Sequence, residues 1–196
     1  MSRALSALVA AIALLFTLSA AAQDTWQLDP NHSSAQFAVR HLGVSTVRGA
    51  FTKVSGTVQY DAANLGKSSI QATIDSASVD TRVEMRDNDL RSPRFLDAQK
   101  YPAITFQSKK FEAAGAGKLK VTGDLTIHGV TKEVVLDVDG PTAAIKDPMG
   151  RDRLRTGASA TTKINRNDFG VSGLPGIVGD DITITLDIEM TKAAAN

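Results

Sequence analysis

The stretch of sequence that decides the fold is DITITLDIEM, residues 181–190. Every second residue in it is apolar, and the residues between them are polar or charged. The apolar positions are Ile182, Ile184, Leu186, Ile188 and Met190. Because successive side chains of a β-strand point to opposite faces, this pattern predicts a strand with one apolar face and one polar face.

The same period of two recurs along most of the chain after residue 23. Alternating segments lie at residues 35–39, 54–60, 70–74, 104–106, 121–127 and 134–138, and residues 44–51 and 156–165 complete a set of eight or nine strands. Strands with a single apolar face favour antiparallel pairing, since the strands of a parallel sheet are apolar on both faces. Such strands close as a sandwich or a barrel, and we expect a barrel because closure removes exposed sheet edges.

One segment, residues 79–101, interrupts the alternation. Val83 and Leu90 are seven residues apart, which places them on one face of a helix and predicts a short helix over residues 82–91. A second helical turn is predicted over residues 94–99, between two prolines. We expect this insertion to cover one end of the barrel as a lid.

Residues 1–22 have the features of a cleavable secretory signal peptide. Arg3 precedes an apolar run that ends in the small residues Ala20-Ala21-Ala22. An uncleaved membrane anchor is the alternative, but the run is short for a bilayer span and no basic cluster follows it. We therefore expect a secreted mature domain, residues 23–196, without a membrane span.

The composition is that of a folded globular protein and argues against several classes of partner. The chain has 22 Lys and Arg against 21 Asp and Glu, and this net charge of +1 does not indicate a nucleic-acid surface. The apolar fraction of 42% argues against a disordered chain. Cysteine is absent, so the chain has no disulfide, no thiolate nucleophile and no cysteine-based zinc site.

The candidate catalytic residues do not converge. His32 and His41 flank one predicted strand, and nine residues of extended chain span about 30 Å. They therefore cannot share a metal ion unless the strand folds back. His128 lies in a predicted turn. Ser33 and Ser34 point to opposite faces of a strand, so they do not both face His32. The sequence thus predicts no catalytic residue, metal site or cofactor, and an enzyme with its active site inside the same barrel is the less favoured alternative.

The sequence leaves two alternatives open for the barrel interior. An eight-stranded barrel is wide enough to fill with side chains or to hold one small ligand. Only 5% of the residues are aromatic, and Ala158, Ala160 and Thr162 place small groups on one predicted inner face. These features favour a hollow barrel, whereas large residues from neighbouring strands would give a filled core and a structural or stress-related domain.

Motifs spread over nearly the whole mature chain resemble the YceI-like family of bacterial polyisoprenoid-binding proteins. They are WQLD at 26–29, FAVRH at 37–41, LRS at 90–92 with FLD at 95–97, KYP at 100–102, GDLTIHGVTK at 123–132 and INRNDFG at 164–170. Asp89 and Leu96 depart from the family pattern, in which His and Phe are common at these positions.

The resemblance implies an all-β, lipocalin-like antiparallel barrel of eight strands with a short helical lid. It also implies that the barrel sequesters a long isoprenoid or related amphiphilic lipid, polyprenyl or quinone-like, in the periplasm. It implies no catalysis and no cofactor beyond that lipid, and the net charge of +1 argues against a nucleic-acid partner. The oligomeric state is left open, with a homodimer as one option.

We expect the lipid tail to contact apolar residues of the strands and the insertion. These are Phe37, Val39, Phe51, Ile74, Leu90, Phe95, Phe106, Leu125, Ile127, Phe169 and Leu174. Arg91 and Arg94 are the predicted head-group ligands, because a guanidinium at a lid can meet a polar head without full burial. Asn165, Arg166 and Asp168 form either a second head-group cluster or a structural clamp, and the clamp is favoured.

Overall fold

The computed structural model of the chain describes residues 24–194, and the predicted signal peptide lies outside them. Residues 24–194 form twelve strands and one α-helix. The strands are β1 Thr25–Leu28, β2 Ser34–His41, β3 Ser45–Phe51, β4 Val54–Gln59, β5 Ser69–Asp75, β6 Val79–Asp80, β7 Ala103–Ala113, β8 Lys118–Ile127, β9 Val130–Asp139, β10 Ile145–Lys146, β11 Arg153–Asn165 and β12 Val178–Ala193. The helix α1 is Glu84–Arg91. No helix in this part of the chain is long and apolar enough to cross a membrane.

Eight of the strands close into an antiparallel barrel. Their order around the ring is β11, β9, β8, β7, β5, β4, β1 and β12, and the pairing of β12 with β11 completes the circle. That last ladder runs without a break from the pair Arg153 and Ala193 to the pair Asn165 and Asp181. The predicted lipocalin-like barrel is therefore confirmed, and its longest ladder closes it.

Strand β12 contains the segment that decides the fold. One edge of β12 pairs with β11, and the other edge pairs first with β2 and then with β1. The apolar side chains predicted to share a face, from Ile182 to Met190, all point into the barrel. The polar residues between them, such as Asp181, Thr183 and Asp187, are exposed.

The predicted helical insertion is present but shorter than expected. Helix α1 begins at Glu84 because Arg82 has a φ of 65°, in the left-handed region that a right-handed helix cannot include. The second helical turn predicted over residues 94–99 is wrong. Asp97 also has a positive φ, and the Leu96 amide donates back to the Leu90 carbonyl, so this segment forms non-helical turns.

The insertion is packed tightly against one end of the barrel. Phe95 and Ala98 are buried there. The buried Asp87 carboxylate accepts hydrogen bonds from the Thr81 amide, at 2.8 Å, and from the Thr81 hydroxyl, at 2.6 Å. We call this end, formed by residues 81–102 and 166–177, the lid end.

Two hydrophobic clusters lie at different heights in the barrel. The first is at the lid end and includes Phe95, Ile127 and Phe169. The second lies towards the opposite end and includes Phe111 and Leu136. Phe106 and Val134 contact both clusters, so they line the zone where the clusters meet.

Candidate functional site: an apolar cavity

An apolar cavity of about 930 Å³ occupies the barrel interior. This volume is near the upper end of the range of about 300–1,000 Å³ for small-molecule sites. The inward-facing residues Ile182, Ile184 and Leu186 of β12 are only half-buried, because they face this space and not a packed core. The barrel is therefore hollow. Of the two alternatives that the sequence leaves open, a hollow barrel and a core filled by side chains, the structure has the first.

Small residues on the wall keep the interior open. Ala158, Ala160 and Thr162 of β11 line the cavity, as the sequence suggests. The Phe106 ring lies over Gly123, where a Cβ atom would approach the ring to 2.5 Å. Because glycine has no Cβ, the Phe106 ring can pack directly against the backbone of the wall at this position.

The structure places ten of the eleven predicted tail-contacting residues on the cavity wall. They are Phe37, Val39, Phe51, Ile74, Leu90, Phe95, Phe106, Leu125, Ile127 and Phe169. Leu174 is not a wall residue and packs from outside against the lid-end cluster. Contact of these residues with a ligand stays a prediction.

Neither predicted head-group arginine reaches the cavity. Arg91 donates to the Ala77 carbonyl, at 2.7 Å, and to the Val79 carbonyl, at 2.6 Å, and so ties α1 to the strand segment before it. Arg94 forms an ion pair with Asp89, with Nη2 2.6 Å from the carboxylate. Both arginines therefore form contacts that hold the lid in place. Asp89, the residue that departs from the family pattern, is the ion-pair partner of Arg94.

Arg166 does line the cavity, but its hydrogen-bonding capacity is used within the protein. Its guanidinium donates to the carbonyls of Val171, Gly173, Val178 and Gly179, at 2.8 to 3.0 Å, and to the Asp180 carboxylate, at 3.3 Å. These contacts match the five N–H groups of a guanidinium. Arg166 is therefore a structural clamp that holds residues 171–180 over the lid end.

The wall becomes exposed at the end opposite the lid. The exposed wall residues are Asp24, Gln36, Ala62, Thr142, Ala143 and Ala144, and all except Gln36 lie at this end. At the lid end, wall residues such as Phe95, Phe169 and Val171 are buried. We call the open end, formed by Asp24 and residues 60–68 and 140–152, the mouth end. The exposed part of the wall, apart from Gln36, therefore lies at the end opposite the helical insertion.

Polar groups with spare hydrogen-bonding capacity also lie at the mouth end. Tyr60 is a half-buried wall residue, and its hydroxyl has no hydrogen-bond partner among residues 24–194. Lys192 pairs with Asp24 and lies 4.9 Å from the centre of the Trp26 ring. The mouth end thus combines an apolar entrance with polar groups at its rim.

One buried carboxylate anchors the loop of residues 140–152. Asp147 accepts a hydrogen bond from Arg153, at 2.5 Å, one from the Met149 amide, at 2.9 Å, and one from Arg155. The Arg153 contact first, and then the Met149 and Arg155 contacts, lower the pKa of Asp147 to about 2, although burial opposes this. Asp147 therefore stays ionised at neutral pH and ties the loop to β11.

Sequence reasoning missed a cluster of charged residues outside the cavity. Asp29, His32 and Glu189 lie together, with His32 Nδ1 3.0 Å from the Asp29 carboxylate. Burial alone would raise the pKa of Asp29, but the contacts with His32, the Asn31 amide and Arg155 lower it. Arg155 contacts both carboxylates and compensates their charge. The pairing of β1 with β12 assembles the cluster, and no local motif indicates it.

A closed antiparallel barrel around a deep apolar cavity that is exposed at one end is typical of lipocalin-like binding proteins. Residues 26–190 match the family model of the YceI-like domain. The chain therefore belongs to the YceI-like family.

Individual relatives agree with this assignment. A UPF0312 protein of Vibrio cholerae is 41% identical over 140 residues, which are 71% of this chain and 72% of the relative. The YceI protein of Campylobacter jejuni has a similar structure, with a TM-score of 0.68 and 36% identity over 78% of this chain and 89% of that chain. A polyisoprenoid-binding domain from Saccharophagus degradans shares the fold, with a TM-score of 0.61 and 17% identity over 87% of this chain and 98% of that chain.

Proposed function

We propose that the protein is a periplasmic carrier that binds a long amphiphilic lipid of the isoprenoid class in the barrel cavity. The observation that carries this proposal is the apolar cavity of about 930 Å³ with its opening at one end. Transfer of a hydrocarbon chain from water into such a space is favourable in proportion to the apolar area removed from water. The fold shared with the polyisoprenoid-binding domain of Saccharophagus degradans supports the choice of lipid class.

The positions of the polar groups support one orientation of the lipid. The Arg166 guanidinium at the lid end has its donors occupied, whereas the Tyr60 hydroxyl at the mouth end is available within the described chain. We therefore place the tail towards Phe95 and Phe169 and the polar head near Tyr60. The depth at which the buried lid closes the cavity would then limit the length of tail that fits.

The first test is to identify what the purified protein holds. Lipid is extracted under denaturing conditions from protein isolated after export and is identified by mass spectrometry. We expect an isoprenoid lipid in its unmodified form. A chemically converted lipid that accumulates on incubation with the protein would contradict the carrier function and support an enzyme.

A matched pair of variants tests whether the cavity is the binding site. Thr162 faces the cavity and its neighbour Thr161 is exposed on the outer face, so Thr162→Phe fills the cavity and Thr161→Phe does not. Binding of geranylgeraniol is followed by the emission of Trp26, the one tryptophan of the chain, which lies on the wall. We expect Thr162→Phe to weaken binding about tenfold or more, equivalent to at least about 1.4 kcal/mol. Equal affinity in both variants would contradict the proposed site.

The periplasmic location is part of the proposal and has its own test. We expect the exported protein to begin at or near Gln23, after Ala20-Ala21-Ala22. The intact mass of the protein from a periplasmic fraction measures this directly. Retention of residues 1–22 on a soluble exported product would contradict it.

A further inference from the structure

The loop of residues 140–152 connects the cavity wall with the outer surface. Ala143 and Ala144 of this loop line the mouth of the cavity. Ile145 and Met149, a few residues further on, expose 58% and 74% of their surface. The same loop thus presents apolar groups to the cavity on one side and to the surroundings on the other.

The exposed charges of the loop are mainly positive. Residues 140–155 contain four basic and two acidic residues. Asp147, one of the two acids, has a side chain with no exposed surface and is compensated by Arg153 and Arg155, with Arg151 Nη1 at 4.0 Å from its carboxylate. Lys146 and Arg151 are exposed beside Ile145 and Met149, with Asp152 as the remaining outward acid. Large apolar side chains flanked by basic ones complement a surface that is apolar beneath a layer of negative charge.

We propose that this loop docks the mouth end onto an anionic phospholipid bilayer, so that the lipid passes between bilayer and cavity without crossing water. Ile145 and Met149 would enter the interfacial region, and Lys146 and Arg151 would meet the phosphate groups. This inference rests on the proposed function, because a water-insoluble ligand must be collected from a phase that dissolves it. Docking of the loop beside Ala143 and Ala144 at the cavity mouth would avoid the cost of hydrating the tail during transfer.

The test measures sedimentation of the protein with vesicles and uses a matched control at the other end of the barrel. The protein is purified after export, and its intact mass is checked so that the apolar residues 1–22 do not contribute. The test variant is Ile145→Ser with Met149→Ser. The control is Leu42→Ser with Val44→Ser in the β2–β3 turn at the lid side of the barrel, where these residues expose 57% and 82% of their surface.

We expect the wild type to bind vesicles of phosphatidylcholine with phosphatidylglycerol, and pure phosphatidylcholine vesicles more weakly. The test variant should lose about tenfold in partitioning, whereas the control variant should bind like the wild type. Lys146→Gln with Arg151→Gln should reduce binding to the anionic vesicles and the sensitivity of that binding to salt. Loss of binding in the lid-side variant alone would overturn the proposal, as would equal binding by all variants.

Two further measurements separate this proposal from the proposed function. Geranylgeraniol added from ethanol should still change Trp26 emission in the test variant, because the cavity itself is unaltered. A wild type that binds this alcohol but not the vesicles would overturn the docking proposal alone, and a wild type that does not bind the alcohol would overturn the proposed function.

A change of oligomeric state in the test variant, measured by analytical ultracentrifugation, would assign the loop to self-association and overturn membrane docking.

Discussion

The lid end and the mouth end close the same barrel by different means. At the lid end, Phe95 and Phe169 are buried against the core, and the five donors of Arg166 bind the segment above them. At the mouth end, an exposed loop is held by the carboxylate of Asp147, by the pairing of β10 with β11 and by hydrogen bonds of Thr142 with Thr156 and Gly157. The difference indicates that the helical insertion is a fixed plug, and that the part of the molecule suited to ligand exchange under the proposed function is the end without the α-helix.

The largest effect is expected at Arg166. Arg166→Met would leave buried carbonyls, including those of Val171 and Val178, without donors, and should lower the free energy of unfolding by about 4 kcal/mol. Urea denaturation measures this value. The control is Arg151→Met at the exposed mouth loop, where we expect a change below about 0.5 kcal/mol. Equal losses in the two variants would remove the distinction between the two ends.

A slightly smaller effect is expected from removing the plug side chain. Phe95→Ala should lower the free energy of unfolding by about 3 kcal/mol, because it opens a gap in a buried cluster. Met85→Ala is the matched change on the same insertion, where Met85 exposes 83% of its surface, and it should be nearly neutral. If neither substitution changed the free energy of unfolding, the insertion would be a mobile lid. The lid end would then not be the more firmly closed end of the barrel.

The smallest effect is expected at the anchor of the mouth loop, and it depends on pH. Because the pKa of Asp147 is lowered from 3.8 to about 2, its contribution to stability is complete above about pH 4 and is lost as the pH falls towards 2. The melting temperature of the wild type should therefore exceed that of Asp147→Asn at pH 6, and the two should converge near pH 2. A difference that stays constant from pH 6 to pH 2 would show that the ionised carboxylate is not what holds the loop.

The barrel strands could be predicted because their pattern is local. A residue such as Ile184 faces inward because its neighbours on either side are polar, and the two-residue period of a strand then fixes its face. The non-helical turns at residues 94–99 could not be predicted in this way. They depend on the positive φ of Asp97 and on the return of the chain to Leu90, neither of which the spacing of apolar residues encodes.

The wall residues could be predicted for the same local reason, but the polar contacts could not. Ten predicted tail residues lie on the wall, since an inward face is also a cavity face in a hollow barrel. The contacts of Arg91 could not be predicted, because its acceptors, the carbonyls of Ala77 and Val79, reach it only through the packing of α1. The hollow itself depends on cross-strand neighbours such as Phe106 and Gly123, which composition does not reveal.

The double pairing of β12 has a consequence for how the chain folds. Its two edges hold β11 on one side and β1 and β2 on the other, so ring closure brings Gln27 beside Thr191, near opposite ends of the chain. Contacts over such sequence separations form slowly, on a timescale of about milliseconds to seconds. Because β12 carries the ladders to both β11 and β1, the ring cannot close before β12 is in place. If the protein binds a lipid as proposed, a lipid present during folding could be enclosed as the ring closes, and refolding with lipid and loading of the folded barrel would be two separate routes to the complex.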